Sequence, residues 1–564
     1  MSRRPPGRHR HVRGRAQAPG PARRDGHQDV AVARSGLIMA SGTATSRVLG
    51  LVRVALLGGI IGTTGLTADA FQVANTLPNQ FYLILAGGIL NAVLVPQIIK
   101  ADTHEDGGEA FINRLITLAL ALLTVVTILT TAAAPWLVRL YFDTTNPQAL
   151  ALSTTFAYVC LPQIFFYGLY TVLGQVLSAR GRFAAYMWAP VIANVVALGG
   201  LVAFLVLRLP SQAPPQEWTP LMIWVLAGSA TVSIAIQAVF LVIPLRRMGF
   251  RYRPTWGFRG VGLGSASKVA KWTFAAVLVA QAGFIVTSKT LTWASDNALP
   301  GQDFAGRFAF DNAFLLFMLP HSLVTVSLVT ALYTRMSRAV ATRDQVALRA
   351  DLLKGLRLPA VVLVPGVVVG IAFSPLLLRA FLLGNSTTQT DAVAVVAMAL
   401  FLGVIPYGWV YLSERYFYAH ENARTPFFVQ VVVTSVSVTG ALLARSIGPG
   451  TAAIVIGVGQ SLAYAVGGVL GFTLVRRQVG RIGIASVLTT YLRLGVPAVL
   501  TAGALLFALH RFTEGHALAR IPGAGLAAGC ALVTAAVSWG VAHALRVPEV
   551  GELLGPLVRR LRRH

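Results

Sequence analysis

The sequence predicts an all-α protein that crosses a membrane many times, and three observations support this fold class. Of its 564 residues, 55% are hydrophobic and only 12% are charged, whereas soluble domains carry about 25% charged residues. The mean hydropathy is +0.67. The apolar residues form long runs, each near or above the ~20 residues that a helix needs to cross a bilayer.

About fourteen such runs divide the chain, and they predict two six-helix lobes followed by two further helices. We expect an N-terminal lobe over residues 31–245, a cytosolic linker over 246–265, a C-terminal lobe over 266–477 and two last crossings over 484–546. The predicted spans are residues 33–61, 69–99, 113–140, 149–178, 184–208, 220–245, 266–293, 304–336, 355–383, 390–418, 426–445, 452–475, 486–510 and 521–546.

The loops between the runs alternate in charge, and this alternation predicts the orientation. Every second connection is basic, whereas the connections 143–148, 384–391 and 446–451 contain no Lys or Arg. Basic loops stay in the cytosol, so both termini are predicted to be cytosolic. This pattern also accounts for the net charge of +27 without a nucleic-acid partner.

Both ends of the chain are basic. Residues 1–30 are rich in Arg, Pro and Gly and are predicted to be a disordered cytosolic tail. Residues 547–564 place Val550, Leu554 and Leu561 on one helical face opposite arginines, which predicts an amphipathic helix on the inner leaflet. A frayed, solvated tail is the alternative.

The sequence lacks motifs for catalysis or metal binding. Cys160 and Cys530 lie far apart in apolar runs and are predicted to be unpaired thiols. The glycine-rich stretch 260–268 lacks the Gly-Lys-Ser/Thr ending of a nucleotide-binding loop. We therefore expect a transporter rather than an enzyme, with no metal site and no cofactor, although a coupling ion stays open.

Two arginines in the first crossing are the main candidates for function. Arg47 and Arg53 lie within an apolar run, where each charge costs about 2.5–3.5 kcal/mol on insertion scales. We therefore expect both to face a water-filled cavity that receives an anionic group. The alternative is that Arg47 pairs with a carboxylate and Arg53 reaches the membrane interface.

Four further polar residues complete the predicted substrate-binding set. Asp69 begins the second crossing, where it suits either a helix cap or a cavity wall. Asn79 follows a helix-breaking proline in the same crossing, and such breaks favour a cavity. Lys289 and Asp311 are candidates for an ion pair or for the cavity wall of the second lobe.

The two halves of the chain show a faint internal similarity. Tyr167-Gly168 precedes a basic turn and then Ala189-Pro190, and Tyr407-Gly408 precedes the basic turn before Pro426. Repeated halves are typical of transporters, whose substrate site lies at the repeat interface.

The chain resembles the MurJ/MviN family of lipid II flippases, within the multidrug/oligosaccharidyl-lipid/polysaccharide exporter superfamily, over most of the fourteen spans and most specifically in its first hundred residues. The resemblance rests on Ser-Arg-Val-Leu-Gly-Leu-Val-Arg at 46–53, Thr-Ala-Asp-Ala-Phe at 67–71, Leu-Pro-Asn at 77–79, Gly87-Gly88 and Val95-Pro96. It implies a central cavity with Arg47, Arg53 and Asp69 at family positions, and a lipid-tail groove on the last two helices. This chain has Tyr82 and Leu83 where many members have paired arginines.

The resemblance implies a function as well as a fold. We expect the chain to move lipid II, a polyprenyl diphosphate-linked peptidoglycan precursor, from the inner to the outer leaflet of a bacterial cytoplasmic membrane by alternating access. Membrane lipids and cell-wall synthesis proteins are the expected further partners. Two alternatives stay open: an exporter of another polyprenyl-linked glycan or of a drug, and a cell-wall scaffold without transport.

Overall fold

The computed structural model describes residues 25–86, 109–180, 182–256, 268–299, 301–512 and 519–561. Its regular secondary structure is helical throughout these ranges. The helices are α1 (Asp25–Ile61), α2 (Leu66–Leu85), α3 (Glu109–Ala132), α4 (Ala134–Tyr141), α5 (Pro147–Cys160), α6 (Gln163–Ala179), α7 (Phe183–Val206), α8 (Pro220–Ile223), α9 (Ser229–Phe240), α10 (Val242–Arg247), α11 (Lys268–Asp296), α12 (Arg307–Pro320), α13 (Val326–Ala341), α14 (Gln345–Arg357), α15 (Ala360–Phe381), α16 (Thr387–Phe401), α17 (Val404–Ala419), α18 (Arg424–Ile447), α19 (Ala452–Val479), α20 (Ile484–Phe512), α21 (Arg520–Ala544) and α22 (Pro548–Leu561).

The polytopic all-α fold class is confirmed. Within the described ranges, twelve helical segments are long and apolar enough to cross a membrane, and a thirteenth is α16 with α17, bent by 46°. Helix α2 covers the first part of the remaining predicted span, 69–99, as far as Leu85, and residues 87–99 lie outside the described part of the chain. One boundary differs from expectation, because α1 begins at Asp25, inside the tail predicted to be disordered. Residues 1–24 lie outside the described part of the chain.

The helices pack as two bundles and an appended pair. In the N-terminal lobe α1 packs on α7, α7 on α9, and α2 on α5. In the C-terminal lobe α11 packs on α18, and α18 on α19. There the backbones of Gly440 and Gly459 meet, since a Cβ added to Gly440 would lie 3.0 Å from the Cα atom of Gly459. The appended helices α20 and α21 pack on α15.

The lobes touch each other along one end of the molecule. The loops there are those predicted to lie outside the cytosol, so we call it the outer end. Asp143 pairs with Arg445, and Thr144 donates a 2.6 Å hydrogen bond to Asp296. Thr64 donates to Asp303 at 2.9 Å. These contacts join the N-terminal lobe to the C-terminal lobe, and we call them, together with the glycine contact described next, the outer gate.

Glycines bring two backbones of the outer gate into direct contact. A Cβ added to Gly384 would lie 2.6 Å from the Cα atom of Gly59 in α1, a distance that no real Cβ tolerates. The Gly384 carbonyl also accepts a 3.0 Å hydrogen bond from Gln212 Nε2 of the N-terminal lobe. The loop that carries Gly384 is therefore fitted to α1 without room for a side chain.

The linker after α10 and the C-terminal helix α22, both predicted to be cytosolic, make contacts with the lobes. The linker after α10 lies against α3, because Arg253 N donates to Asn113 Oδ1 at 3.2 Å. Its residues 257–267 lie outside the described part. Helix α22 pairs with α14 through Arg357 and Glu549 at 2.9 Å, and through Lys354 and Glu552 at 3.1 Å. Its predicted place on the inner leaflet stays a prediction.

The Gly384→Ala substitution should favour opening at the outer end, because its new methyl group would collide with the α1 backbone. Spin labels on the exposed residues Gln216 and Ser446, with Cys160 and Cys530 replaced by alanine, would report the distance between the lobes. We expect a shift to longer distances in a double electron–electron resonance measurement. A Gly366→Ala variant is the control, because an added Cβ there meets no atom within 4 Å. An unchanged distance in Gly384→Ala would contradict the tight fit.

Candidate functional site

A cavity of about 240 Å³ lies between the lobes, on the inner side of the outer gate. Helices α1, α2, α6, α7, α9 and α12 contribute its walls. Its polar lining residues are Arg53, Gln72, Asn75, Gln163, Tyr167, Ser229, Asp311 and Asn312. The sequence-predicted residues Arg53 and Asp311 thus meet in one cavity from opposite lobes.

Arg53 brings an uncompensated positive charge to this cavity. The six ion pairs among the described side chains include neither Arg53 nor Arg47. Arg47 lies six residues earlier, about 9 Å nearer the start of α1, and its Nη1 atom is buried without a hydrogen-bond partner. Both guanidinium groups therefore have hydrogen-bonding capacity for a ligand.

Asp311 is neutralised by Arg307, a residue missing from the predicted set. Arg307 Nη2 lies 2.6 Å from Asp311 Oδ1, and its Nε donates to Oδ2 at 3.0 Å. The guanidinium carbon also lies 4.2 Å from the centre of the Phe284 ring. Gln72 Nε2 completes the site by donating to Asp311 Oδ2 at 2.7 Å across the lobes. The i,i+4 spacing of Arg307 and Asp311 was the sequence signal that could have predicted their ion pair.

A second cavity, of about 430 Å³, extends from Asp311 into the C-terminal lobe. Its walls carry neutral polar groups in addition to Arg307 and Asp311. These are Gln80, Gln281, Thr287, Tyr407, Gln430, Thr434, Ser437, Gln460 and Tyr464. Gln281 Nε2 donates to Gln80 Oε1 at 2.9 Å, which joins α11 to α2. The two cavities thus form a polar tract with Asp311 at their junction.

Asp69 lies in the lobe contact rather than in either cavity. It is fully buried, and its Oδ1 atom accepts a 2.8 Å hydrogen bond from the backbone N of Phe308. It therefore caps α12 of the opposite lobe rather than the start of its own helix, which has no side-chain cap. Gly306 makes room for this carboxylate, since an added Cβ would lie 2.2 Å from Asp69 Oδ2.

The structure does not bring the last two predicted residues into the cavity walls. Asn79 is exposed on α2, one turn beyond Asn75 on the same helical face. Lys289 is half-buried on α11 near the outer gate, where its carbonyl accepts a 3.3 Å hydrogen bond from Arg445. Neither residue lines a described cavity, so their binding roles stay predictions.

Two apolar grooves accompany the appended helices. One, of about 250 Å³, lies between α20 and the C-terminal lobe, with Trp409, Phe472 and Leu488 in its walls and Arg476 among them. The other, of about 550 Å³, lies on α20 and α21 and is lined by Leu492, Val496, Leu500 and Val537. Their walls are suited to a hydrocarbon chain.

Comparisons with known proteins identify the family. The family model described as "Lipid II flippase MurJ" matches residues 59–522. The chain belongs to the MurJ family. Curated relatives named "Probable lipid II flippase MurJ" include one from Rhizobium meliloti, 25% identical over 83% of this chain and 85% of the relative. Another from Borreliella burgdorferi is 22% identical over 70% of this chain and 74% of the relative.

Solved structures agree with this family fold. A structure titled "Lipid II flippase MurJ, inward closed conformation" matches with a TM-score of 0.68 and 16% identity, over 93% of this chain and all of the other. An inward-facing MATE family transporter of the MOP superfamily matches with a TM-score of 0.63 and 15% identity, over 79% of this chain and 98% of the other. At these identities the likeness shows the fold alone.

The Asp69→Ala substitution should destabilise this MurJ-family fold. It leaves the buried N–H group of Phe308 without an acceptor, at a cost of about 1–3 kcal/mol. We expect a lower melting temperature of the purified protein and longer distances between labels on Gln216 and Ser446. Asp69→Asn keeps one acceptor oxygen and should have a smaller effect. Equal behaviour of Asp69→Ala and the unsubstituted chain would refute the cap.

Proposed function

We propose that this chain carries lipid II from the inner to the outer leaflet of a bacterial cytoplasmic membrane. Membership of the MurJ family supports this function, and so do its relatives, which are named as probable lipid II flippases. The observation that carries the proposal is the unpaired Arg53 in the cavity between the lobes.

In this proposal Arg53 binds the diphosphate of the substrate. A guanidinium group donates several hydrogen bonds in a planar fork that matches phosphate oxygens. The interaction is stronger in a cavity of low dielectric constant than in water. Arg47, about 9 Å nearer the start of α1, would meet the diphosphate on its way from the inner leaflet. The amides and hydroxyl groups around Asp311 suit the sugar–peptide headgroup, which is rich in donors and acceptors.

The polyprenyl tail stays in hydrocarbon while the headgroup crosses. Of the two grooves on the appended helices, the one between α20 and the C-terminal lobe holds Arg476 at the end of α19, next to apolar walls. An isoprenoid chain in that groove would remove apolar surface from water at about 25 cal/mol per Å². This assignment extends the sequence-based prediction of a lipid-tail groove over 484–546.

We further propose that transport proceeds by alternating access as a secondary transporter, with both termini cytosolic. The outer gate closes one end in the described state, and the opposite state requires its contacts to separate. An ion gradient or the membrane potential would drive the cycle, the latter worth about 2.3 kcal/mol per charge per 100 mV. The coupling ion and partners among cell-wall synthesis proteins are part of this proposal.

Substitution of Arg53 tests the substrate site. Arg53→Gln should weaken binding of lipid II to purified protein at least tenfold, because charge-assisted hydrogen bonds contribute about 1.5–3 kcal/mol. Arg53→Lys should retain part of the affinity. Arg139→Gln removes an exposed arginine of α4 away from the cavity and is the matched control.

Flipping and binding should change together in these variants. Lipid II flipping is measured by exposure of the headgroup on the outer side of proteoliposomes. Unchanged binding in Arg53→Gln would contradict the diphosphate site. Equal binding of a polyprenyl-linked glycan without the peptide would instead favour the broader glycolipid exporter.

The driving force has its own test. Proteoliposomes with an imposed potassium diffusion potential should flip lipid II at a rate that depends on the sign of the potential, because the loaded and empty cavities differ in charge. The same vesicles without a potential are the control. A rate that responds neither to the potential nor to an imposed proton or sodium gradient would contradict the secondary-transport mechanism.

A further inference from the structure

The appended helix pair is attached to the outer gate through one arginine. Arg520, the first residue of α21, donates from Nη1 to the carbonyl of Leu383 at 2.6 Å and from Nη2 to the carbonyl of Asn385 at 2.7 Å. These carbonyls flank Gly384, the residue whose backbone rests on Gly59 of α1. A planar guanidinium thus holds both sides of the gate loop, residues 382–385.

The gate loop is held from the opposite side by the N-terminal lobe. Gln212 Nε2 donates to the Gly384 carbonyl at 3.0 Å. The Asn385 side chain is buried against α1, and its Nδ2 would lie 3.3 Å from a Cβ added to Gly58. Both polar atoms of this side chain lack a hydrogen-bond partner. The loop therefore depends on its backbone carbonyls, and Arg520 and Gln212 hold three consecutive carbonyls between them.

Within its own lobe the loop is anchored at its first residue, because Leu382 is buried in the lobe core and its N donates to the Leu378 carbonyl at 2.8 Å. Its internal turn is closed by Asn385 N, which donates to the Leu382 carbonyl at 3.1 Å. The nearby pair of Arg379 and Asp391 links α15 to α16 without touching the loop carbonyls. Arg520 supplies two of the three hydrogen bonds described for the carbonyls of residues 383–385, so its loss would weaken the attachment of this part of the loop.

We propose that Arg520 is a positioning residue that couples the appended helices to the outer gate. While it holds the gate loop, the loop remains seated on α1 and the outer end stays closed. A movement of α21, such as one that accompanies a lipid chain entering or leaving its groove, is passed to the gate through this fork. The inference rests on the alternating access proposed above, and it adds that the appended helices bias which end is open.

The test measures gate opening without substrate. In Arg520→Gln, labels on Gln216 and Ser446 should show the ratio of long to short distances rising roughly fivefold, the effect of losing about one net hydrogen bond. Arg520→Lys keeps the charge but not the fork, and should show a smaller rise. Arg511→Gln removes an exposed arginine at the end of α20 and should leave the ratio unchanged.

A second label pair tests whether Arg520 couples the movement of α21 to the gate loop or only stabilises the loop locally. Labels on the exposed residues Thr387 and Ile521 report whether α21 and the start of α16 move as a unit. Their distance should be narrow in the unsubstituted chain and broad in Arg520→Gln. In a double-mutant cycle, Arg520→Gln and Gln212→Ala should be non-additive, because both act on one loop.

Two results would overturn the proposal. One is an unchanged distribution for both label pairs in Arg520→Gln and Arg520→Lys. The other is equal opening in Arg520→Gln and Arg511→Gln, which would indicate a general effect of lost charge. Because no lipid II is present, neither result depends on the Arg53 binding test, so failure of the coupling is distinguishable from failure of the proposed substrate.

Discussion

The closed outer end depends on a carboxylate buried between the lobes. Asp69 of α2 has no access to solvent and meets the N-terminus of α12, whose backbone N–H groups and dipole favour a negative charge. If the lobes separated, the Asp69 carboxylate would lose its hydrogen-bond donor and the N-terminus of α12 would lose its acceptor. The pairing thus fixes α2 against α12, and this fixed pair forms one wall of each polar cavity.

Charge is distributed unevenly along the polar tract that this wall borders. Arg307 and Asp311 neutralise each other, and Phe284 covers the guanidinium face, so the C-terminal lobe contributes hydrogen bonds rather than net charge. Tyr82 and Leu83 of α2 add no charge either, because Tyr82 bonds to Thr171 at 2.7 Å and Leu83 lines the second cavity. Among the residues that line the two cavities, the positive charge available to attract an anion is therefore that of Arg53 in α1.

The spans seen in the described residues could be predicted because long apolar runs are local signals. A charge within such a run is also a local signal, but of the two arginines that it singled out, Arg53 lines the cavity and Arg47 is not among the lining residues. The sequence could not reveal that Asp69 caps a helix of the other lobe, since that contact joins residues 239 positions apart. The pairing of Arg307 with Asp311 was accessible from their i,i+4 spacing, whereas the Phe284 ring that covers the guanidinium belongs to another helix and was not. Tyr167 and Tyr407, singled out by the internal repeat, each line one of the two polar cavities.

The glycine contact between α18 and α19 has a mechanical consequence. With Gly440 and Gly459 touching at the backbone, these two helices have no layer of side chains on which to slide. They therefore move as one rigid body, together with the parts of the lobe that pack on them. Any tilting of one lobe against the other is therefore absorbed outside this pair of helices.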